Sequence, residues 1–192
     1  MYIIVHSSIP LLPYSATENV ATLLVNKLNR LHWAKQNVLK IASCLGAKFS
    51  MYAVTTVTEN LSAVSTRRLS STVENESDSD DEDEGSLPRF DILIRELEDE
   101  GLLESEKSDT DVWNFGHDKI QSAAFELIPS GKSDAFRGKI GEILLQKLSA
   151  TALESNFFEV VSLCNCAMAT VTKDEERKER AFMNLQAGVK VR

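Results

Sequence analysis

The chain has 192 residues, with 21 Lys+Arg against 29 Asp+Glu, and carries a formal net charge of −8. Eight of the acids fall within eleven consecutive residues, Glu74 to Glu84, and without them the remainder balances at 21 against 21. The charge is one acidic tract on a neutral body, which argues against a basic nucleic-acid-binding surface.

Hydrophobic residues make up 43% of the chain, enough to bury the core of one domain or two small ones. The apolar stretch Tyr2–Tyr14 is interrupted by His6, Ser7, Ser8, Pro10 and Pro13. It is too short for a bilayer, which needs roughly 20 apolar residues, and it lacks the basic start and small-residue cleavage site of a signal peptide. Residues 1–17 therefore read as an irregular N-terminal segment. Cys44, Cys164 and Cys166 are too few and wrongly spaced for a disulfide framework or a zinc site, and fit reduced core thiols of a cytoplasmic protein.

In chain order, Thr17 is placed to cap a first helix whose stripe is Val20, Leu24, Leu28 and Leu31. Val38, Ile41, Ala42 and Leu45 form the stripe of a second, closed by Gly46. From Phe49 to about Leu61 the β-branched residues favour a strand, while length and position favour a helix; the helix is the reading taken. Residues 62–87 are dominated by Ser, Thr and acids, with no apolar residue from Glu74 to Glu84, and read as a disordered acidic loop. Order resumes at Pro88 with a helix carrying Phe90, Leu93, Ile94 and Leu97 and ending at Gly101. Leu102-Leu103 and Val112–Phe115 then read as the strands of a small hairpin, or wing, across the polar stretch Glu104–Asp111.

Four further helices follow. Ile120, Ala123, Ala124, Leu127 and Ile128 mark the first, ended by Pro129. Phe136, Ile140, Ile143, Leu144 and Leu148 mark the second, with Ser133 as its cap. Phe157, Val160, Val161, Cys164, Ala167 and Met168 mark the third. The fourth spans Glu175–Val191, with a charged start and the apolar residues Phe182, Leu185 and Val189 unspent toward its end. The predicted fold is mainly α: a winged-helix-like domain over 18–128 with its acidic loop, then TPR-like helical hairpins over 129–192. The unspent apolar residues make the helical region look truncated, since a solenoid ends in a polar capping helix.

Ser130-Gly131-Lys132-Ser133 ends like a phosphate-binding loop, but position 126 is Glu where that loop needs glycine, and the segment follows a helix rather than a strand. It reads as a helix–helix turn. His6, His32 and His117 lack the sequence context for metal binding or nucleophile activation, so neither catalytic nor metal residues are predicted. The helix before the wing, Arg89–Glu100, holds two basic and five acidic residues, which would repel phosphates and makes nucleic acid a poor partner. Arg67-Arg68-Leu69-Ser70 resembles a basophilic kinase site, and Ser77 and Ser79 each have acids three residues downstream, so Ser70, Ser77 and Ser79 are candidate phosphorylation sites.

Five segments together resemble one family. "VATLLVNKLNRLHWAKQNVLKIASCLGAKFS" (Val20–Ser50), "EDEGLL" (Glu98–Leu103), "FGHDKIQSAAFELI" (Phe115–Ile128), "GKIGEILLQKL" (Gly138–Leu148) and "NLQAGVKV" (Asn184–Val191) are similar, in order and spacing, to the part that follows the ATPase core in STAND-class, AAA-type predicted ATPases of large signalling kinases and cyclases. His32-Trp33 stand where that family commonly has Pro, Phe125 stands for a usual Tyr, and the acidic stretch resembles an insertion.

The resemblance implies a post-ATPase winged helix leading into a TPR-like array, with the ATPase and kinase motifs absent from this chain. It implies a non-catalytic regulatory and interaction module that couples nucleotide state to protein partners or neighbouring domains. ATP or ADP is implied only for the complete family member. His117-Asp118 resembles the class's ADP-phosphate sensor pair, which would act only with a separate ATPase core; the same two residues equally fit a plain helix cap with a packed histidine. The alternative function is a winged-helix nucleic-acid-binding regulator.

Overall fold

Apolar spacing of three and four residues dominates the chain, and the computed structural model, which describes residues 16–70, 89–168 and 171–190, is accordingly mainly helical. The helices are α1 (Ala16–Asn29), α2 (Trp33–Leu45), α3 (Met51–Ser70), α4 (Phe90–Asp99), α5 (Asp118–Glu126), α6 (Ser133–Lys147), α7 (Ala150–Ser155), α8 (Phe157–Cys166) and α9 (Asp174–Lys190). Three short strands, β1 (Lys48–Ser50), β2 (Leu103–Glu106) and β3 (Asp109–Phe115), form an antiparallel sheet in the order β1-β3-β2.

The segment from Phe49 resolves the competition between strand and helix by being both in turn. Lys48–Ser50 pairs with β3, placing Phe49 opposite Trp113, and the Phe49 ring meets Phe115 at 5.5 Å. The helix begins at the next residue. Asp111 on β3 fixes this start: its carboxylate accepts from Ser50 Oγ at 2.6 Å and from the Tyr52 N–H at 2.8 Å. Ser50 Oγ in turn accepts from the Ala53 N–H at 3.2 Å, satisfying another free donor of the first turn.

The hairpin also differs from its sequence reading. Much of Glu104–Asp111 is strand, with β2 and β3 registered from Leu103↔Phe115 to Glu106↔Asp109 across an irregularity at Ser105/Glu106. A small sheet covered on one side tolerates this, because of the residues of β2 and β3 only Leu103, Trp113 and Phe115 need to face the core. The α4–β2 connection is a Schellman turn. Leu102 N–H donates to Leu97 O at 2.9 Å, and Gly101 N–H to Glu98 O at 2.8 Å. Gly101 takes φ 65°, and the fully buried Leu97 and Leu102 flank it.

Other boundaries shift for identifiable reasons. α3 runs to Ser70, into the stretch 62–87 read as loop, because Leu61–Ser70 contains no Pro or Gly and an established helix propagates through compatible residues. The rest of that acidic loop lies outside the described residues, as does most of the N-terminal segment. α1 begins at Ala16, so Thr17 lies in its first turn and does not cap it. α6 begins at Ser133 itself, with Lys132 as the capping position and no side-chain cap. α7 is an addition: Leu148 leaves helical geometry at ψ 142°, and Ser149 Oγ restarts a helix by accepting the Ala152 N–H at 3.2 Å.

One hydrophobic cluster extends from Leu28 to Met183 and takes in residues on both sides of position 128/129. α6 and α8 pack against each other along their length, and through α3 and α2 they join the part of the chain that holds the sheet. α9 is tied down by a buried guanidinium. Arg180 donates to the Cys164 carbonyl on α8 and to Glu142 on α6, the latter at 3.3 Å, while Asn165 and Asn184 exchange amide hydrogen bonds at 2.8 and 3.0 Å. Among the described residues no helix is long and apolar enough to cross a membrane.

Candidate functional site

Two places bear on function: the start of α5, where the sequence directs attention, and a cleft that the sequence does not announce.

β3 delivers the chain to α5 through Gly116. A Cβ there would lie 2.5 Å from Gly101 O, so only glycine fits between the hairpin and the α4 turn. His117 follows in extended geometry (φ −158°, ψ 146°) and is the N-cap, its Nδ1 accepting the Lys119 N–H at 3.1 Å. Asp118 Oδ1 reaches the same N–H at 2.7 Å and also lies against His117 Nδ1. The two side chains are thus brought together at the cap of α5, with the histidine exposed where the capping alternative had it packed. The His117 side chain is 62% exposed. His117→Ala is expected to remove the cap and cost about 1 kcal/mol in urea denaturation, with the helical circular dichroism retained.

The remaining sequence candidates separate. Ser70 ends α3, while Ser77 and Ser79 lie outside the described residues, as does His6. His32 caps α2, Nδ1 accepting the Ala34 N–H at 3.3 Å. Ser130–Ser133 is a turn, with Gly131 at φ 75° and Lys132 N–H donating to Pro129 O at 3.0 Å. Cys44 and Cys164 are buried and Cys166 half-buried, all three as free thiols. Burial pushes the Cys44 thiol up to about 12 and raises Cys164 as well, so neither is a ready nucleophile. Among the described residues no group of His, Cys, Asp and Glu is placed to hold a metal ion.

The cleft lies where the C-terminal end of α2 meets α5, α6 and α8, and encloses about 400 Å³. Its polar wall includes Gln121 of α5, Arg137 of α6 and Glu159 of α8. Glu159 belongs to the first turn of an otherwise apolar stretch, Phe157–Leu163 apart from Ser162, and packs beside Gly46: a Cβ on that glycine would lie 3.9 Å from Glu159 Oε1. Among the described residues it is the one buried side-chain oxygen without a hydrogen-bond partner, and burial pushes the carboxyl up to about 7. Arg137 has no ion-pair partner among the described residues, and Gln121 is held only by a long 3.5 Å hydrogen bond to Ser43 O. A carboxyl at the third position of the apolar run FFEVV is the signal that would have flagged Glu159; Arg137 has no such signal.

No protein-family model, no curated protein and no solved structure matches the chain. Function therefore rests on the geometry. The α5 start exposes the His117 imidazole, and the cleft brings Glu159 and Arg137 into one concavity without an ion pair between them.

Proposed function

We propose that the chain is a non-catalytic regulatory and interaction module, a winged-helix-like unit leading into TPR-like helical hairpins, as in the post-ATPase part of STAND signalling ATPases. The order α2, β1, α3, α4, β2, β3 with β1 and β2 flanking β3 supports the winged-helix reading, because it places the hairpin directly after the third helix of the unit. The observation that carries the interaction reading is the outer face of α9. Phe182, Leu185 and Val189 are 60%, 64% and 65% exposed at helical spacing, while Met183 and Arg180 on the opposite face are buried. An exposed apolar stripe of this kind, on a helix anchored through its opposite face by Arg180 and Met183, marks a surface meant to be covered by protein.

In this reading His117 senses a nucleotide phosphate held by a separate ATPase core, and the free thiols fit a reducing, cytoplasmic compartment. α4 presents Asp91, Glu96, Glu98 and Asp99 on its exposed positions, so it meets protein and not nucleic-acid phosphates. The test is ATP turnover by the purified chain with magnesium. No turnover is expected; turnover that His117→Ala abolishes would mean an enzyme, and a salt-sensitive mobility shift of duplex DNA would restore the nucleic-acid alternative.

A further inference from the structure

We propose that the cleft between α2, α5, α6 and α8 binds a free α-amino acid with an apolar side chain, its ammonium on Glu159 and its carboxylate on Arg137. Glu159 and Arg137 line the same concavity, form no ion pair with each other, and neither has another ionic partner among the described residues. A ligand carrying one charge would engage only one of these groups: an anion would leave Glu159 Oε1 without a donor, and a cation would leave Arg137 without a partner. A zwitterion satisfies both.

The surroundings assign the polarity. Glu159 sits beside Gly46, at the end of α2, where the helix dipole and the last carbonyls add negative character and favour a cation. An ammonium also brings the hydrogen-bond donors that Glu159 Oε1 lacks. On the other side, the Arg137 guanidinium is a fork suited to a carboxylate, and the loosely held Gln121 amide supplies a further donor. The rest of the wall includes Leu45, Phe125 and Leu163, which selects an apolar side chain. The volume of about 400 Å³ holds one such molecule and lies toward the small end of ligand pockets, which span roughly 300–1,000 Å³. Because the walls come from helices on both sides of residue 128, an occupant would bridge the sheet-bearing part and the helical hairpins.

Isothermal titration calorimetry of the whole chain with L-leucine and L-phenylalanine tests this, with isopentylamine and isocaproate as analogues bearing one charge each. Saturable binding of at least one amino acid is expected, with both analogues weaker by about tenfold or more. Glu159→Gln and Arg137→Gln should each weaken the amino acid by about tenfold or more, with folding verified by circular dichroism; Arg137→Lys replaces Arg137→Gln if the latter fails to fold. Absence of saturable binding overturns the proposal. So does an analogue that binds as well as the amino acid, or a loss confined to only one of the two positions.

Discussion

Gly138→Ala is expected to destabilise the protein by about 3 kcal/mol, although alanine ordinarily favours a helix interior over glycine by about 1 kcal/mol. Gly138 and Gly141 lie one turn apart on the face of α6 that crosses α8. A Cβ at Gly138 would lie 2.2 Å from Ala167 Cβ and 3.4 Å from the Ala167 backbone. At Gly141 it would meet Cys164 N at 2.8 Å, Cys164 Sγ at 2.9 Å and Leu163 Cβ at 3.0 Å. None of these neighbours is the far end of a flexible side chain, so the helices must separate. That movement would also disturb the Arg180 contact with the Cys164 carbonyl, which anchors α9. Gly188, toward the end of α9, has nothing within 4 Å of where a Cβ would stand, so Gly188→Ala should stabilise by about 0.5–1 kcal/mol. Urea midpoints of the two variants should therefore move in opposite directions. Ala167→Gly in the Gly138→Ala background removes the closest clash and should recover part of the loss, a coupling that a general helix effect would not produce. If both glycine variants stabilise, the close crossing of α6 and α8 is wrong.

That crossing illustrates what a single sequence discloses. α2, α4, α5, α6 and α8 follow from apolar spacing, because each buries one stripe against a common core and periodicity registers burial directly. The glycines at positions 138 and 141 are visible in the sequence, yet nothing local identifies the helix they admit. β1 escapes because three residues are too few to establish an alternating period, and its strand conformation is imposed by pairing with β3, more than sixty positions away. α7 escapes because its six residues bury no side chain completely. The start of α5 was legible as a cap or a sensor pair, and side-chain geometry was needed to show His117 in the capping role. The cleft was not legible at all: Ser43–Gly46, Gln121, Arg137 and Glu159 come from four separate parts of the chain, and only the fold makes them neighbours.

Glu159→Gln is the second substitution with a large expected effect, and its sign depends on pH. The carboxyl has an ordinary value of 4.5 and is pushed up to about 7 in the fold, because burial disfavours its charged form. Between those values the folded protein keeps a proton that the unfolded chain has released. On Glu159's account, stability is complete below about pH 4.5, declines as pH rises toward 7, and stays lowered above it. A gap of about 2.5 pH units corresponds to roughly 3 kcal/mol at most, and partial solvent access at the cleft reduces the expected penalty to about 2 kcal/mol. Glutamine keeps the volume and never ionises, so Glu159→Gln should be more stable than the parent by about 2 kcal/mol near pH 8 and nearly equal to it near pH 4.5. The other groups facing the cleft do not mimic this profile: Cys44 on α2, at about 12, stays a neutral thiol, Arg137 on α6 stays charged, and α5 contributes the uncharged Gln121 and Phe125. Urea unfolding of parent and variant across that pH range gives the difference directly. Parallel curves would show that Glu159 is solvated and ionised in the fold, and the buried carboxyl at the α2–α8 contact would have to be abandoned.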